Sequence, residues 1–291
     1  MSGPAGRQGS RISPGRPCPL CGLRLVPKPP VGSSPTAAPG PRPVRCSACG
    51  LVFIDPIPPA ALSTDSYGPA YYEPWQGKEE PARLALWRRR LRLLEERSPR
   101  GSLLDVGCGD GLFLKVARDS GWGVEGIEFS PEGARRASTR LGRPVAVGDL
   151  ARGGMLRGPF DAVTLWHVLE HLPEPAAMLE AVRRRLRPGG LLVAAVPNLD
   201  NLPMRVAYRL ARLRPLPLYE EGEREPHLSH FDPRTLSAAL GRQGLREIEV
   251  LADRCALTPA KRAVDALAAF LSRRTGRLLT DAIVAFARVP R

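Results

Sequence analysis

The stretch Leu103-Leu104-Asp105-Val106-Gly107-Cys108-Gly109-Asp110-Gly111 decides the fold. An apolar run closes on a carboxylate and a valine, three glycines follow at alternate positions, and Leu112–Ser120 continues at helical spacing. This reads as a strand over Ser102–Val106 turning into a helix over Leu112–Ser120. Glycines let a backbone approach a ligand closely, and a helix start offers unpaired N–H groups. The spacing is G-x-G-x-G. A dinucleotide fingerprint needs its third glycine one residue later, where Leu112 stands.

Working outward, short apolar runs alternate with helical ones. Further strands are expected at Gly123–Ile127, Pro144–Val147, Phe160–Trp166, Gly190–Val196, Leu245–Leu251 and Asp281–Val289. Helices are expected at Pro81–Glu96, Pro131–Leu141, Pro175–Leu186, Pro233–Gln243 and Pro259–Arg273, several opening on a proline that suits a first turn. The run Val193-Ala194-Ala195-Val196 is apolar throughout, as in a strand covered on both faces. The class is α/β, a Rossmann-like seven-stranded sheet with helices on both sides. Leu202–Pro226 breaks the rhythm with a basic amphipathic helix, a Pro-rich piece and an acidic stretch. An insertion at about 199–230 is read as a lid.

Three carboxylates follow the strands. Asp105 would repel a pyrophosphate but suits the ammonium group of an amino acid. Glu128 lies 21 residues after Gly107, where a carboxylate can accept two ribose hydroxyls. Asp149, in Val147-Gly148-Asp149-Leu150, is placed to accept from an adenine amino group. An adenosine at one end and a cationic amino acid at the other describe S-adenosylmethionine. Here the chain resembles the class I S-adenosylmethionine-dependent methyltransferases. Leu104–Gly109 resembles their cofactor loop, Gly126-Ile127-Glu128 their ribose-binding strand end, Phe160-Asp161-Ala162-Val163 their fourth strand and Leu186-Arg187-Pro188-Gly189-Gly190 the turn before the fifth. Leu169-Glu170-His171-Leu172 is similar to the branch containing ubiquinone-biosynthesis O-methyltransferases. The resemblance implies a seventh strand antiparallel to the rest. It also implies a cofactor site of Asp105, Gly107, Cys108, Gly109, Gly111, Glu128, Phe129, Asp149, Leu150 and Trp166.

The four histidines form two pairs, His167 with His171 and His227 with His230. His167-Val-Leu-Glu170-His171 also spells an inverted zinc-protease motif, but that chemistry needs a long helix and Pro173 closes any helix at once. In the methyltransferase reading, His167 and His171 border the acceptor and His230 is presented by the insertion. All three are candidates to orient or deprotonate an acceptor, with a structural role the alternative for each. Some relatives hold a divalent ion here with acidic residues and a histidine. This chain has His167 where those carry a carboxylate.

Cys18-Pro-Leu-Cys21-Gly22 and Cys46-Ser-Ala-Cys49-Gly50 are matching knuckles. Two thiolates on each tight turn can share one tetrahedral ion, so Cys18, Cys21, Cys46 and Cys49 are read as a structural zinc site of a ribbon-like module. The expected organisation is a disordered tail (1–17), this module (18–56), a connector (57–80) and a methyltransferase domain (81–291). The Pro/Gly/Ser/Ala tract Pro27–Pro43 is an excess loop between the knuckles.

The chain has 291 residues, 43% hydrophobic and 25% charged, which excludes a disordered or fibrous bulk. No apolar run reaches the ~18–20 residues of a membrane span, and the N-terminus leads into no apolar signal region, so a cytoplasmic location is expected. The net charge is +14, and 39 of the 43 basic residues are arginine. The expected partner is a small-molecule acceptor methylated at oxygen, nitrogen or carbon. An RNA substrate gripped by the ribbon and arginines is the alternative, and a non-catalytic S-adenosylmethionine-binding protein the third. The oligomeric state is not legible.

Overall fold

The computed structural model describes residues 15–24, 40–75, 80–153, 156 and 158–291. The tail expected at 1–17 and the tract Pro27–Pro43 lie largely outside them. In chain order the elements are β1 (Arg42–Arg45), β2 (Val52–Asp55), α1 (Pro69–Tyr72), α2 (Glu80–Glu95), β3 (Ser102–Val106), α3 (Leu112–Asp119), β4 (Gly123–Glu128), α4 (Pro131–Leu141) and β5 (Ala146–Val147). They continue with β6 (Phe160–Trp166), α5 (Pro175–Arg185), β7 (Leu186–Pro197), α6 (Leu202–Arg212), β8 (Ser229–His230), α7 (Pro233–Arg242), β9 (Arg246–Asp253), α8 (Pro259–Thr275) and β10 (Ala282–Arg288).

Seven strands form one sheet in the order β5-β4-β3-β6-β7-β10-β9. Pairings from β5 to β7 are parallel, and β10 enters antiparallel between β7 and β9. The expected antiparallel last strand is therefore present. The third expected strand shrinks from Pro144–Val147 to two residues at the sheet edge, and β7 extends back to Leu186. Alternate residues of each central strand feed two separate cores. Val163, Leu165, Leu192 and Ala194 pack under α5 and α7. Leu103, Ala162, Val193 and Ala195 pack under α2 and α3. Each fully buried aliphatic side chain contributes about 1.5–3 kcal/mol, which makes the sheet a rigid floor. The chain leaves β3 toward β4 on one side and meets β6 on the other. The C-terminal ends of these strands thus open at a topological switch point, where α/β sheets bind ligands.

The knuckle module is not set apart. β1 and β2 form a hairpin whose third strand is β8, with Val52 opposite His230 and Phe53 opposite Ser229. Ile54 N donates to Leu228 O at 3.0 Å. Cys18, Leu20, Cys46, Leu51 and Phe53 join Phe231, Leu236 and Leu240 in one buried cluster. The insertion that ends at β8 therefore stitches the cysteine hairpin to the main sheet.

Candidate functional site

A cleft of about 670 Å³ opens over the ends of β3, β4 and β6. Gly107, Gly109, Glu128, Phe129, Gly148, Asp149 and Leu150 line one end. Gly107 has φ +71°, and a Cβ there would lie 2.6 Å from Val168 Cγ2, so only glycine leaves the cradle open. Glu128 anchors the loop. Its Oε2 accepts from Gly109 N at 2.8 Å and its Oε1 from Ser130 N at 2.9 Å. A carboxylate has about four acceptor sites, so a lone pair on each oxygen remains for a pair of vicinal hydroxyls. Asp149 spends Oδ1 on Ala151 N at 2.9 Å while lining the cleft, and Phe129 lies half-exposed beside it. Open glycine backbone, a carboxylate with spare lone pairs and an accessible aromatic face fit the nucleoside end of S-adenosylmethionine.

Three expected cofactor contacts fall elsewhere. Asp105 is 2% exposed and does not line the cleft among the described residues. Its place in β3 points it across the sheet at Thr164, whose hydroxyl donates to Oδ1 at 2.6 Å. Burial pushes its carboxyl up to about 8, so at neutral pH it is a protonated structural group rather than an anion awaiting an ammonium. Cys108 turns its thiol against Gly126, inside the core. Gly111 serves packing, since a Cβ there would sit 2.8 Å from Ala137 Cα. The folded chain holds a proton on Asp105 that the unfolded chain releases. Its contribution to stability should therefore be full at acid pH and be lost as the pH rises from the ordinary value of 3.8 through about 8. Asp105→Asn, which keeps the Thr164 bond, should remove that dependence on pH. Urea unfolding at pH 5 and pH 8 checks it, and equal slopes in both proteins would contradict it.

Beneath the loop lies a staple that the sequence did not announce. Arg83 of α2 forks onto Asp110 at 2.8 and 3.0 Å, and Arg140 of α4 adds a third bond at 3.2 Å. Both Arg83 and Asp110 are buried.

The other end of the cleft is aromatic and polar. Trp166 and Trp87 flank the buried guanidinium of Arg90, at 4.8 and 5.0 Å. Arg90 binds Asp253 and also donates to His167 Nε2 at 2.8 Å. An arginine has no acceptor, so its contact with Nε2 needs the lone pair there and puts a proton on Nδ1, 3.3 Å from Glu170 Oε1; burial and Arg90 oppose a second proton on His167, although Cys255 and Glu170 draw it up to about 10. With both nitrogens engaged and a backbone φ of +57°, His167 lines the cleft as a positioning residue. His171 differs. Its Nδ1 faces Pro226 O at 3.3 Å, and a carbonyl only accepts, so Nε2 carries the free lone pair. Nε2 lies 3.5 Å from Glu225 Oε1, and Tyr71 donates to Glu225 Oε2 at 2.9 Å. His171, Glu225 and Tyr71 all line the cleft.

His230 does not reach the site. It is fixed in β8 opposite Val52, burial pushes it down to about 4, and it lies off the cleft wall. The expected lid is likewise redistributed. Among the residues of the insertion it is Glu225 that lines the cleft, while α6 packs on α8. His227 joins instead, its ring 4.8 Å from that of His171. Glu170, His171 and His227 bring ligand atoms within 4.8 Å of one another, and the buried Glu170 carboxylate is paired with His167 Nδ1 at 3.3 Å. Burial opposes its charge, but the three neighbouring histidines outweigh it and hold Glu170 below the usual range.

The knuckles superimpose in their bonding. Gly22 N donates to Cys18 O at 2.9 Å and Gly50 N to Cys46 O at 3.0 Å, with φ of +75° and +81° at the two glycines. Cys18 Sγ stands 3.5 Å from Cys49 Sγ, as does Cys21 Sγ from Cys46 Sγ, and all four lie within 4.8 Å. Four sulfurs at ~2.3 Å from a tetrahedral zinc would be ~3.8 Å apart, so the donor set fits the ion. Burial pushes the thiols of Cys18 and Cys49 up, whereas at Cys46 hydrogen bonds from the backbone of Cys49 and Ala48 and from the neighbouring cysteines outweigh burial and bring it down to about 7.

Residues 78–250 match a methyltransferase-domain family. The chain belongs to it, and so to the class I S-adenosylmethionine-dependent methyltransferases. It is 32% identical over 105 residues to the ubiquinone biosynthesis O-methyltransferase of Caulobacter vibrioides, covering 33% of this chain and 41% of that one. It is 39% identical over 104 residues to the protein of the same name from Xanthomonas axonopodis pv. citri, covering 33% and 43%. The chain thus spans about two fifths of the length of the curated relatives it matches. A chain from the complex between the Haloferax volcanii Trm112 methyltransferase activator and a methyltransferase shares the fold, with a TM-score of 0.51 and 19% identity over 74% of this chain and 95% of that one. No helix among the described residues of this methyltransferase is long and apolar enough to cross a membrane.

Proposed function

We propose that the chain transfers the methyl group of S-adenosylmethionine to an oxygen, nitrogen or carbon atom of a small-molecule acceptor. The observation that carries this is one continuous cleft of about 670 Å³, with a nucleoside-shaped glycine and carboxylate end and an aromatic end crossed by Tyr71 and Glu225. That size suits a cofactor plus one compact partner. Gly107, Gly109, Glu128, Phe129, Asp149 and Leu150 would hold the nucleoside, and Trp166, His167 and Val168 would border the sulfur. The cofactor, when bound, supplies a methyl group on a cationic sulfur, so alignment is the main catalytic demand.

His167, locked between Arg90 and Glu170, fixes the wall against which the acceptor is aligned. His171 takes the acceptor's proton at Nε2, and Glu225, 3.5 Å away, stabilises the imidazolium that results. Burial and the nearby Glu225 push Tyr67 and Tyr71 up, keeping both as neutral donors. The two cysteine knuckles would together hold zinc as a structural ion. The arrangement is a metal-bearing hairpin (18–56), a connector (57–80) and a methyltransferase domain (81–291), with an insertion at about 199–230 that joins the first to the last.

The test is transfer of labelled methyl to a panel of phenols, amines and carboxylates alongside structured RNA. Labelled small molecules are expected. Label in RNA alone, or cofactor binding without any transfer, would overturn the reading. His171→Ala should slow transfer to a hydroxyl acceptor about a hundredfold while cofactor-product affinity stays within about twofold. Loss of both together would argue that His171 is structural.

A further inference from the structure

We propose that the outer faces of α6 and α8 form a docking surface for an anionic lipid bilayer. The two helices pack against each other. On α6, residues 203, 204, 207 and 208 turn inward, and Leu202, Val206 and Leu210 turn outward at 57%, 46% and 75% exposure, while Leu213, which caps the helix in a left-handed turn, is 90% exposed. Two spacings of four put the three helical residues on one stripe, and Leu213 follows at the helix end. Arg205, Arg209 and Arg212 are exposed along the flank of that stripe. On α8 the same pattern recurs, with Leu267 and Phe270 at 54% and 48% exposure among exposed Lys261, Arg262, Arg273 and Arg274.

Charge decides what covers these faces. α6 contains no acidic residue, and the acid of α8, Asp265, is buried and accepts from Asp281 N. The other acids of the insertion are Asp200, exposed two residues before the helix, and Glu220, Glu221, Glu223 and Glu225 beyond it, where Glu220 pairs with Arg214 and Glu225 lines the cleft. Apolar side chains projecting between arginines match a surface that is apolar inside and anionic outside. A helix of this kind lies in the plane of the headgroups. A second copy of the chain would set arginine against arginine across a two-fold interface. A nucleic acid would leave four exposed aliphatic side chains without a partner. The segments 1–14 and 25–39 contain no acidic residue to complement the patch.

The experiment is flotation of the full chain with phosphatidylcholine vesicles, with and without about one third phosphatidylglycerol. Binding to the anionic vesicles alone is expected, weakening as salt rises. Leu210→Gln with Leu213→Gln should weaken it at least about tenfold. Arg205→Gln, Arg209→Gln and Arg212→Gln together should weaken it about a hundredfold. All five side chains are exposed, so unfolding midpoints should not move. Equal binding to neutral vesicles, no binding, or binding indifferent to both sets of substitutions overturns the proposal. So does a dimer in sedimentation that the leucine substitutions dissociate, since that assigns the face to a second copy.

Discussion

Glu128→Ala is expected to weaken S-adenosylhomocysteine binding by about 3 kcal/mol or more, roughly two orders of magnitude. Two losses combine. The ribose hydroxyls lose a charged acceptor, and each such bond is worth ~1.5–3 kcal/mol. The glycine loop also loses its anchor, because Glu128 is what the amides of Gly109 and Ser130 donate to. Glu128→Gln should not rescue fully, since its amide NH2 must face one of those two N–H groups. Burial raises the Glu128 carboxyl above its ordinary range, although the amides of Ser130, Gly109 and Phe129 work against this. Affinity should therefore fall on acidification at a higher pH than for an exposed glutamate. Titration calorimetry reads both effects, and unchanged affinity in the alanine variant would remove Glu128 from the site.

The second large effect concerns the knuckles. Cys46→Ser should abolish zinc retention and lower the unfolding midpoint by about 10 °C, corresponding to about 3 kcal/mol or more. A knuckle has almost no core of its own, so a bound ion would stand in for one. In this fold the damage does not stay local. Cys46 and Cys18 are buried in the cluster that holds Phe53, Leu236 and Leu240, and β2 pairs with β8. From there the chain runs back through Leu228, whose N–H donates to Glu170 O, and His227, which packs on His171, to Glu225 at the cleft. Zinc loss should thus disturb the acceptor end more than the nucleoside end, with S-adenosylhomocysteine affinity changing least. Wild-type protein with no zinc by elemental analysis would end the assignment.

The sheet was legible because parallel strands buried on both faces leave uninterrupted apolar runs such as Val193–Val196, all fully buried here. Helix starts were legible for a similar local reason, with proline in the first turn of α4, α5, α7 and α8. That Glu128 lies against the glycine loop could be read because strand, glycines and carboxylate sit at fixed short spacing. What escaped was long-range and polar. Arg90 reaches His167 across 77 residues and Asp253 across 163, and Arg83 reaches Asp110 across 27. No periodicity records such pairings. Asp105 misled for the same reason, as its partner Thr164 lies on the neighbouring strand. His230 misled because two residues of β8 pair with the cysteine hairpin, and a two-residue strand leaves no alternation to read.

Calorimetric titration of the folded wild-type chain with S-adenosylhomocysteine, run at two temperatures, tests the central claim most directly. A saturable one-to-one isotherm is predicted, displaced by S-adenosylmethionine. The absence of any binding heat at both temperatures, in protein whose unfolding remains cooperative, would contradict it.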